Sequence, residues 1–392
     1  MKIVIAPDSF KESLTAAQVA RAIATGIRRA LPDADCVLVP VADGGEGTVR
    51  ALVDATAGRE YRKRVVGPRG EPVVARYGLL GDGTTAAIEM AAASGLGLVP
   101  PAARDPLQTT TYGTGQLVRA ALLKGAQRVI IGIGGSATND GGAGMAQALG
   151  IRFYDRRGRL LDDGLTGGGL AHVHAIDMSL AEPAIRAATF VVACDVNNRL
   201  LGKNGATRTY GRQKGADAAA IEQLEANLAR FADVIARDLG IAIRSLRGGG
   251  AAGGLGAGLV AFLGATLRPG ADIVLDAVDL AGQLCDADLV VTGEGMIDAQ
   301  TAFGKAPAAV ARVAGEVGVP VVALGGALSD DANKGFANGF DALESSVIRP
   351  VALAGAMATA RRNLNLAGER IGRWILLADR LHEQRAPREP RY

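Results

Sequence analysis

Aromatic residues make up only 4% of this 392-residue chain, with a single tryptophan. That scarcity argues against the stacking platforms on which single-stranded nucleic acids bind. Histidine is scarcer still, limited to His172, His174 and His382. With no GxSxG segment either, a Ser-His-Asp hydrolase has little to be built from. His172 and His174 alternate as on a strand, with no acid or cysteine directly beside them, so a structural role is expected of them rather than a metal site. The three cysteines, Cys36, Cys194 and Cys285, are scattered and form no CxxC pair. Zinc is thereby disfavoured, and free thiols in a reducing compartment are expected. Neither sign of charge dominates, with 43 Lys+Arg against 40 Asp+Glu, so nucleic acid and anionic membranes are not expected partners. The apolar start, Lys2 to Ala6, is too short for a secretory signal. Residues 248–267 carry no charge, but eight of the twenty are glycine and the strong apolar side chains fill only the second half. This reads as a glycine loop entering a buried helix, not a membrane span. A cytoplasmic protein is expected.

What the chain has in abundance is glycine, 54 residues, within a composition that is 48% hydrophobic. At this length such a composition supports two domains with sizeable cores. The first sixty residues alternate between strand and helix: a strand at Lys2–Ala6, a helix from Thr15, a strand over Cys36–Val41 and a helix over Glu46–Ala57. Thr15 and Gln18 have capping-box spacing, Val19, Ile23 and Ile27 recur every four residues, and Pro32 stops the helix. The same rhythm resumes over 289–380, with strands at Leu289–Thr292 and Val319–Leu324 and a helix from about Lys305. Such alternation predicts a parallel sheet with helices on both faces. Between them, "RVVGPRGEPVVARYGLL" reads as a hairpin turning at Gly67-Pro68-Arg69-Gly70, and "RFYDRRGRLL" as a second one. The expected fold is therefore an α/β, Rossmann/flavodoxin-like parallel domain, built from 1–61 and 287–380. A mixed α+β domain over 62–286 is inserted into it, and 381–392 form a charged tail.

In an open parallel sheet, ligands gather beyond the carboxyl ends of the strands. Four loops expected at strand ends are acidic: "PDSFKES" with Asp8, Ser9 and Lys11; "ADGGEGT" with Asp43, Glu46 and Thr48; "CDVNN" with Asp195; and "TGEGMIDAQT" with Glu294, Asp298, Gln300 and Thr301. A fifth, "GIGGSATNDGG" over 132–142, follows the strand-like Arg128–Ile131. Glycines let backbone N–H groups approach phosphate oxygens, carboxylates can hold Mg²⁺, and a lysine and an aspartate can balance charge and accept a hydroxyl proton. The set suits phosphoryl transfer in a cleft between two domains. A P-loop ATPase is excluded because no GxxxxGK[ST] occurs. A nicotinamide enzyme is the rival, since Gly132, Gly134 and Ala137, with Asp155 further on, mimic the dinucleotide fingerprint. Against it, the glycines after Ala137 predict a helix starting only near Gly142, and Asp155 opens a DRRG turn.

The motifs "IAPDSFKESLTA", "PVADGGEGT", "IEMAAASGL", "GIGGSATNDGGAGM", "CDVNN", "GAAGGLGAG" and "TGEGMIDAQTAFGKAP" together resemble the bacterial glycerate kinase family. The resemblance runs in one order from residue 2 to about 375. Departures are Asn198 and Arg212, where proline is expected, Arg247, and Met296, where a basic residue is expected. The resemblance implies two α/β domains and ATP- and Mg²⁺-dependent phosphorylation of D-glycerate, the branch being similar to those giving 2-phosphoglycerate. A non-catalytic relative that binds the same ligands is the other alternative, and a homo-oligomer stays open. The sites expected are as follows. Gly134, Gly135, Ser136, Thr138, Asn139, Asp140, Gly141 and Gly142, with Lys214 and Lys305, take the nucleotide. Asp8, Ser9 and Lys11 take the glycerate. Glu294 and Asp298 take the metal. Asp195 accepts the hydroxyl proton, with Lys11 and Asp43 as further catalytic groups.

Overall fold

The computed structural model describes residues 1–43, 47–299, 301 and 305–385. Among them the strands run, in chain order, β1 (Lys2–Pro7), β2 (Asp35–Leu38), β3 (Arg59–Val66), β4 (Pro72–Leu79), β5 (Thr85–Glu89), β6 (Arg128–Gly132), β7 (Arg152–Tyr154), β8 (Ala175–Asp177), β9 (Thr189–Ala193), β10 (Thr266–Arg268), β11 (Leu289–Ile297), β12 (Val321–Leu328) and β13 (Ala342–Ser345). The chain divides into two compact units, Met1–Asp43 with Val274–Tyr392, and Gly44–Ile273. The first division falls before the helix Thr48–Ala55 because that helix lies on β4 and β5. The second leaves the helix Leu280–Leu284 packed on the helix Ala306–Val317 of the outer unit. The expected boundaries had stood at 61/62 and 286/287.

The outer unit is a five-stranded sheet in the order β13-β12-β11-β1-β2, with every neighbouring pair parallel. Counted along the chain this is the 2-1-3-4-5 order of flavodoxin-like folds. Ile3, Val4, Ile5 and Ala6 of β1 are all fully buried, as a central strand covered on both faces requires. The first helix, Ala16–Ala30, begins with the expected capping box between Thr15 and Gln18 and buries Val19, Ile23 and Ile27. It packs on the long terminal helix Ala360–Arg385. The two backbones approach so closely at Gly26 that a Cβ there would lie 2.0 Å from the Asn365 carbonyl oxygen.

The inner unit is built on a six-stranded mixed sheet, β10-β9-β6-β5-β4-β3. β3, β4 and β5 are antiparallel, and β5, β6, β9 and β10 are parallel. The expected β3–β4 hairpin is present, its turn closed by the Gly67 N–H on the Glu71 carbonyl. The second expected hairpin is only partly formed. β7 takes β8 as its partner, and the segment after it contributes one isolated bridge, Tyr154 to Leu160. Asp155 closes that turn by accepting from the Arg157 and Arg159 N–H groups. Few as the aromatics are, Phe153, Phe231 and Phe262 meet with ring centroids 5.8 to 6.1 Å apart in the core of this unit. The charge-free stretch behaves as expected: a glycine-bearing turn at Ala251–Gly254 feeds the buried helix Leu255–Leu263. Among the described residues no helix is long and apolar enough to cross a membrane.

Candidate active site

The parallel strands of the outer unit open at their carboxyl ends into one pocket of about 580 Å³. Asp8, Ser9 and Lys11 enter it from the end of β1, Asp43 from beyond β2, Glu294 and Asp298 from β11 and the turn after it. Lys305, at the head of the helix Ala306–Val317, completes the charged set. Its ammonium lies 3.3 Å from Glu294 Oε2 and 3.9 Å from Asp298 Oδ1. Burial pushes the Asp8 carboxyl up to about 7; the Ser9 N–H, 2.5 Å away, opposes this, and the charges of Asp43 and Glu294 add to it. Burial also pushes Glu294 up, against the pull of Lys305. The wall of the pocket is apolar, contributed by Phe10, Val347, Leu353 and Met357. Glu46 and Gln300 lie outside the described residues.

The inner unit has its own cavity, about 260 Å³, at the ends of β6 and β9. Gly134, Gly135 and Ser136 line one side, Cys194, Asp195 and Val196 another. Gly135 sits at φ +70°, and its carbonyl accepts from the Leu96 N–H at 2.8 Å, which pins the loop. Lys214 is buried beneath this loop. Two of the three N–H groups an ammonium carries are committed, to Ser136 Oγ at 2.6 Å and to the Thr138 carbonyl at 2.7 Å. Burial draws its ammonium down to about 7, with the Asp140 carboxylate opposing. Asp195 is exposed at the cavity, and its Oδ1 accepts from the Gly270 N–H at 2.8 Å. The neighbouring Cys194 thiol is pushed up by burial, away from thiolate chemistry.

The rest of the glycine-rich run does not reach the cavity. Thr138, Asn139 and Asp140 are fully buried, Asn139 Nδ2 donates to Thr207 Oγ1, and the Gly141 N–H donates to the Gly253 carbonyl. Gly142, at φ +80°, is the residue before the helix Ala143–Ala148. Asp140 accepts from the Thr111 N–H and hydroxyl, both at 2.7 Å, and from the Gly142 and Gly144 N–H groups. These four donors make it the anchor of the loop. Asp140→Ala is expected to leave them unpaired and to cost on the order of 3 kcal/mol or more, read as a lower urea midpoint. An unchanged midpoint would return Asp140 to a ligand-binding role.

Two cavity residues escaped the sequence reading. Tyr210 and Gln213 belong to the segment that carries Lys214, and the Tyr210 hydroxyl donates to Asn198 Oδ1 at 2.8 Å. Their only signal is proximity along the chain to Lys214.

The sequence model of the glycerate kinase family matches residues 3–376. The chain belongs to the glycerate kinase family. It is 52% identical over 378 residues to the glycerate kinase of Bacillus subtilis, covering 96% of this chain and 98% of that one. To the glycerate 2-kinase of Escherichia coli it is 50% identical over 380 residues, covering 97% and 99%. A crystal structure described as a glycerate kinase 2 from Salmonella typhimurium superposes with a TM-score of 0.89 at 50% identity, covering 97% of this chain and all of that one. Membership makes the protein a kinase with ATP as the implied phosphate donor. The dinucleotide mimic is explained as well. Asp155 closes its turn, and the helix after the glycine run begins only at Ala143.

A kinase of this family needs charge balanced at the transferred phosphoryl group. Among the described residues no three acids, histidines or cysteines converge tightly enough to ligate a metal by themselves. Magnesium does not require that, since it keeps several waters and takes one or two carboxylates. The pocket of the outer unit fits such an ion: Glu294 Oε1 is buried without a hydrogen-bond partner among the described residues, with Asp298, Asp8 and Asp43 on the same walls.

Proposed function

We propose that this kinase transfers the γ-phosphoryl group of ATP to the 2-hydroxyl of D-glycerate, giving 2-phosphoglycerate and ADP. The observation that carries the reading is family membership over residues 3–376, with half of all positions identical to a glycerate 2-kinase. The geometry supports the division of labour. In the inner unit, Gly134 to Ser136 and Lys214 line a small cavity, and backbone N–H groups with an ammonium suit an anionic group. Asp195, at the edge of that cavity, is the proposed acceptor of the hydroxyl proton. In the outer unit, Glu294 and Asp298 would hold Mg²⁺, with Asp43 and Asp8 beside them. The ion supplies charge neutralisation when bound. Lys305 and Lys11 add positive charge at the same pocket. Two places then offer a cation to the glycerate carboxylate, Lys11 with Ser9 and Asp8, or Lys214.

The test is direct. The purified enzyme, given ATP, Mg²⁺ and D-glycerate, is expected to form ADP and a phosphoester that phosphorus NMR identifies as 2-phosphoglycerate. Formation of 3-phosphoglycerate would overturn the regiochemistry. Binding of both ligands with no ADP formed would make the chain a non-catalytic relative.

A further inference from the structure

The two pockets differ in a way that the catalytic roles leave unexplained. The cavity of the inner unit is small, and Gly134 to Ser136, Lys214 and Asp195 line it beside short apolar side chains such as Ile133, Val196 and Ala252. The pocket of the outer unit has more than twice its volume, and one side of it is apolar. Phe10 and Ala360 are buried parts of its lining. Met296 is 50% exposed, Val351 42% and Leu353 76%, and Met357 on the same lining is half-buried. Apolar side chains gathered on the wall of one pocket while left this open mark a surface shaped for a ligand. The charged set of Lys11, Lys305 and five carboxylates, Asp8, Glu12, Asp43, Glu294 and Asp298, lines the same pocket. Of the two reactants, glycerate has polar groups on every carbon and nothing to lay on an apolar wall. A nucleotide has both a flat, largely apolar base and a phosphate tail that a metal ion carries.

We infer that the apolar wall formed by Met296, Val351, Leu353 and Met357 is the shelf for the purine base of the nucleotide, so that the outer unit is the nucleotide-binding unit. The inference rests on the proposed function for the identity of the reactants. Its location agrees with the rule for doubly wound sheets. β1 and β11 are the strands at which the 2-1-3-4-5 order reverses, and their ends form the floor of this pocket, where such folds take nucleotides. Glu294, Asp298 and Lys305 then serve the metal-bound phosphates, and Lys11 serves them too. The small cavity of the inner unit is left to glycerate, whose carboxylate meets Lys214 and whose 2-hydroxyl faces Asp195.

The test uses the variants Leu353→Ser and Met357→Ser, singly and together, with calorimetric binding of Mg·ADP and of magnesium pyrophosphate, which has no base. Leu353 is exposed enough that its replacement leaves the fold intact. Stripping the shelf is expected to weaken Mg·ADP by about tenfold in the double variant, with pyrophosphate binding unchanged. The KM for ATP should rise by the same factor, with that for glycerate held within about twofold. Unchanged ADP affinity, equal weakening of ADP and pyrophosphate, or an effect confined to glycerate would each overturn the assignment. The binding measurements contain no glycerate. A wild type that binds Mg·ADP through the shelf yet fails to phosphorylate glycerate would therefore defeat the proposed function alone.

Discussion

Lys214→Met is expected to lower kcat/KM for glycerate by about a hundredfold, the scale of a lost charge-assisted hydrogen bond to an anion held away from water. Methionine has similar length and no charge, so the space under the Gly134–Ser136 loop stays filled. The native ammonium spends two donors on Ser136 and Thr138, and among the described residues it is the cation that lines that cavity. A second signature follows from its titration near 7. As pH rises above 7 the folded amine loses its charge, so anion affinity at the cavity should decline in the wild type and stay flat, though weak, in the variant. Stability moves the other way. An unfolded lysine keeps its proton up to its ordinary value of 10.5, so between about 7 and that value the unfolded chain binds more protons than the folded one. Wild-type stability should therefore climb through this range relative to Lys214→Met. Paired urea titrations at pH 7 and pH 9.5 measure the difference. Parallel stability curves together with near-normal glycerate kinetics would show Lys214 to be an ordinary charged residue.

Asp195→Asn is expected to lower kcat on the order of a hundredfold or more while leaving the affinity for Mg·ADP as it was. The substitution discriminates because of what the structure shows Asp195 already doing. Its Oδ1 accepts from the Gly270 N–H, and an amide oxygen at the same place would accept that hydrogen bond equally well. A purely structural role would therefore survive the change. Proton acceptance would not, because the amide has no basic oxygen to receive the hydroxyl proton. Steady-state turnover beside calorimetric ADP binding separates the two cases. Turnover within a few-fold of wild type would move the proton acceptor elsewhere, and Asp43 would be the next residue to replace.

Local chemistry was readable without coordinates. The capping box of Thr15 and Gln18, the four-residue recurrence of Val19, Ile23 and Ile27, and the turn at Gly67 to Gly70 are determined within a few neighbours, so their patterns survive in the sequence. The alternation of strand and helix was enough to announce a parallel sheet from both chain ends. Acids placed just past apolar runs marked the loops that line the pockets. The weaker expectation concerned partners of β7. Three residues of strand can pair with either of two segments, and no local pattern chooses between them.

By itself, then, the sequence determined the strand–helix rhythm of both chain ends, the α/β class, the family and the loops that would carry polar groups. These depend on periodicity, turn chemistry and motif order, all of which are properties of neighbouring residues. Only the tertiary structure decided which loops share a pocket, because Asp8 meets Glu294 and Leu353 through the strand order of one sheet although it lies hundreds of residues from both along the chain. It also decided how the run from Gly134 to Gly142 divides. Thr111, Thr207 and Gly253 cover its second half and leave the first half facing the cavity. The character of Lys214 was decided the same way. The sequence places it among the groups expected to take the nucleotide, and it becomes a titratable cation near neutral pH because packed neighbours remove the water that would otherwise hold its charge.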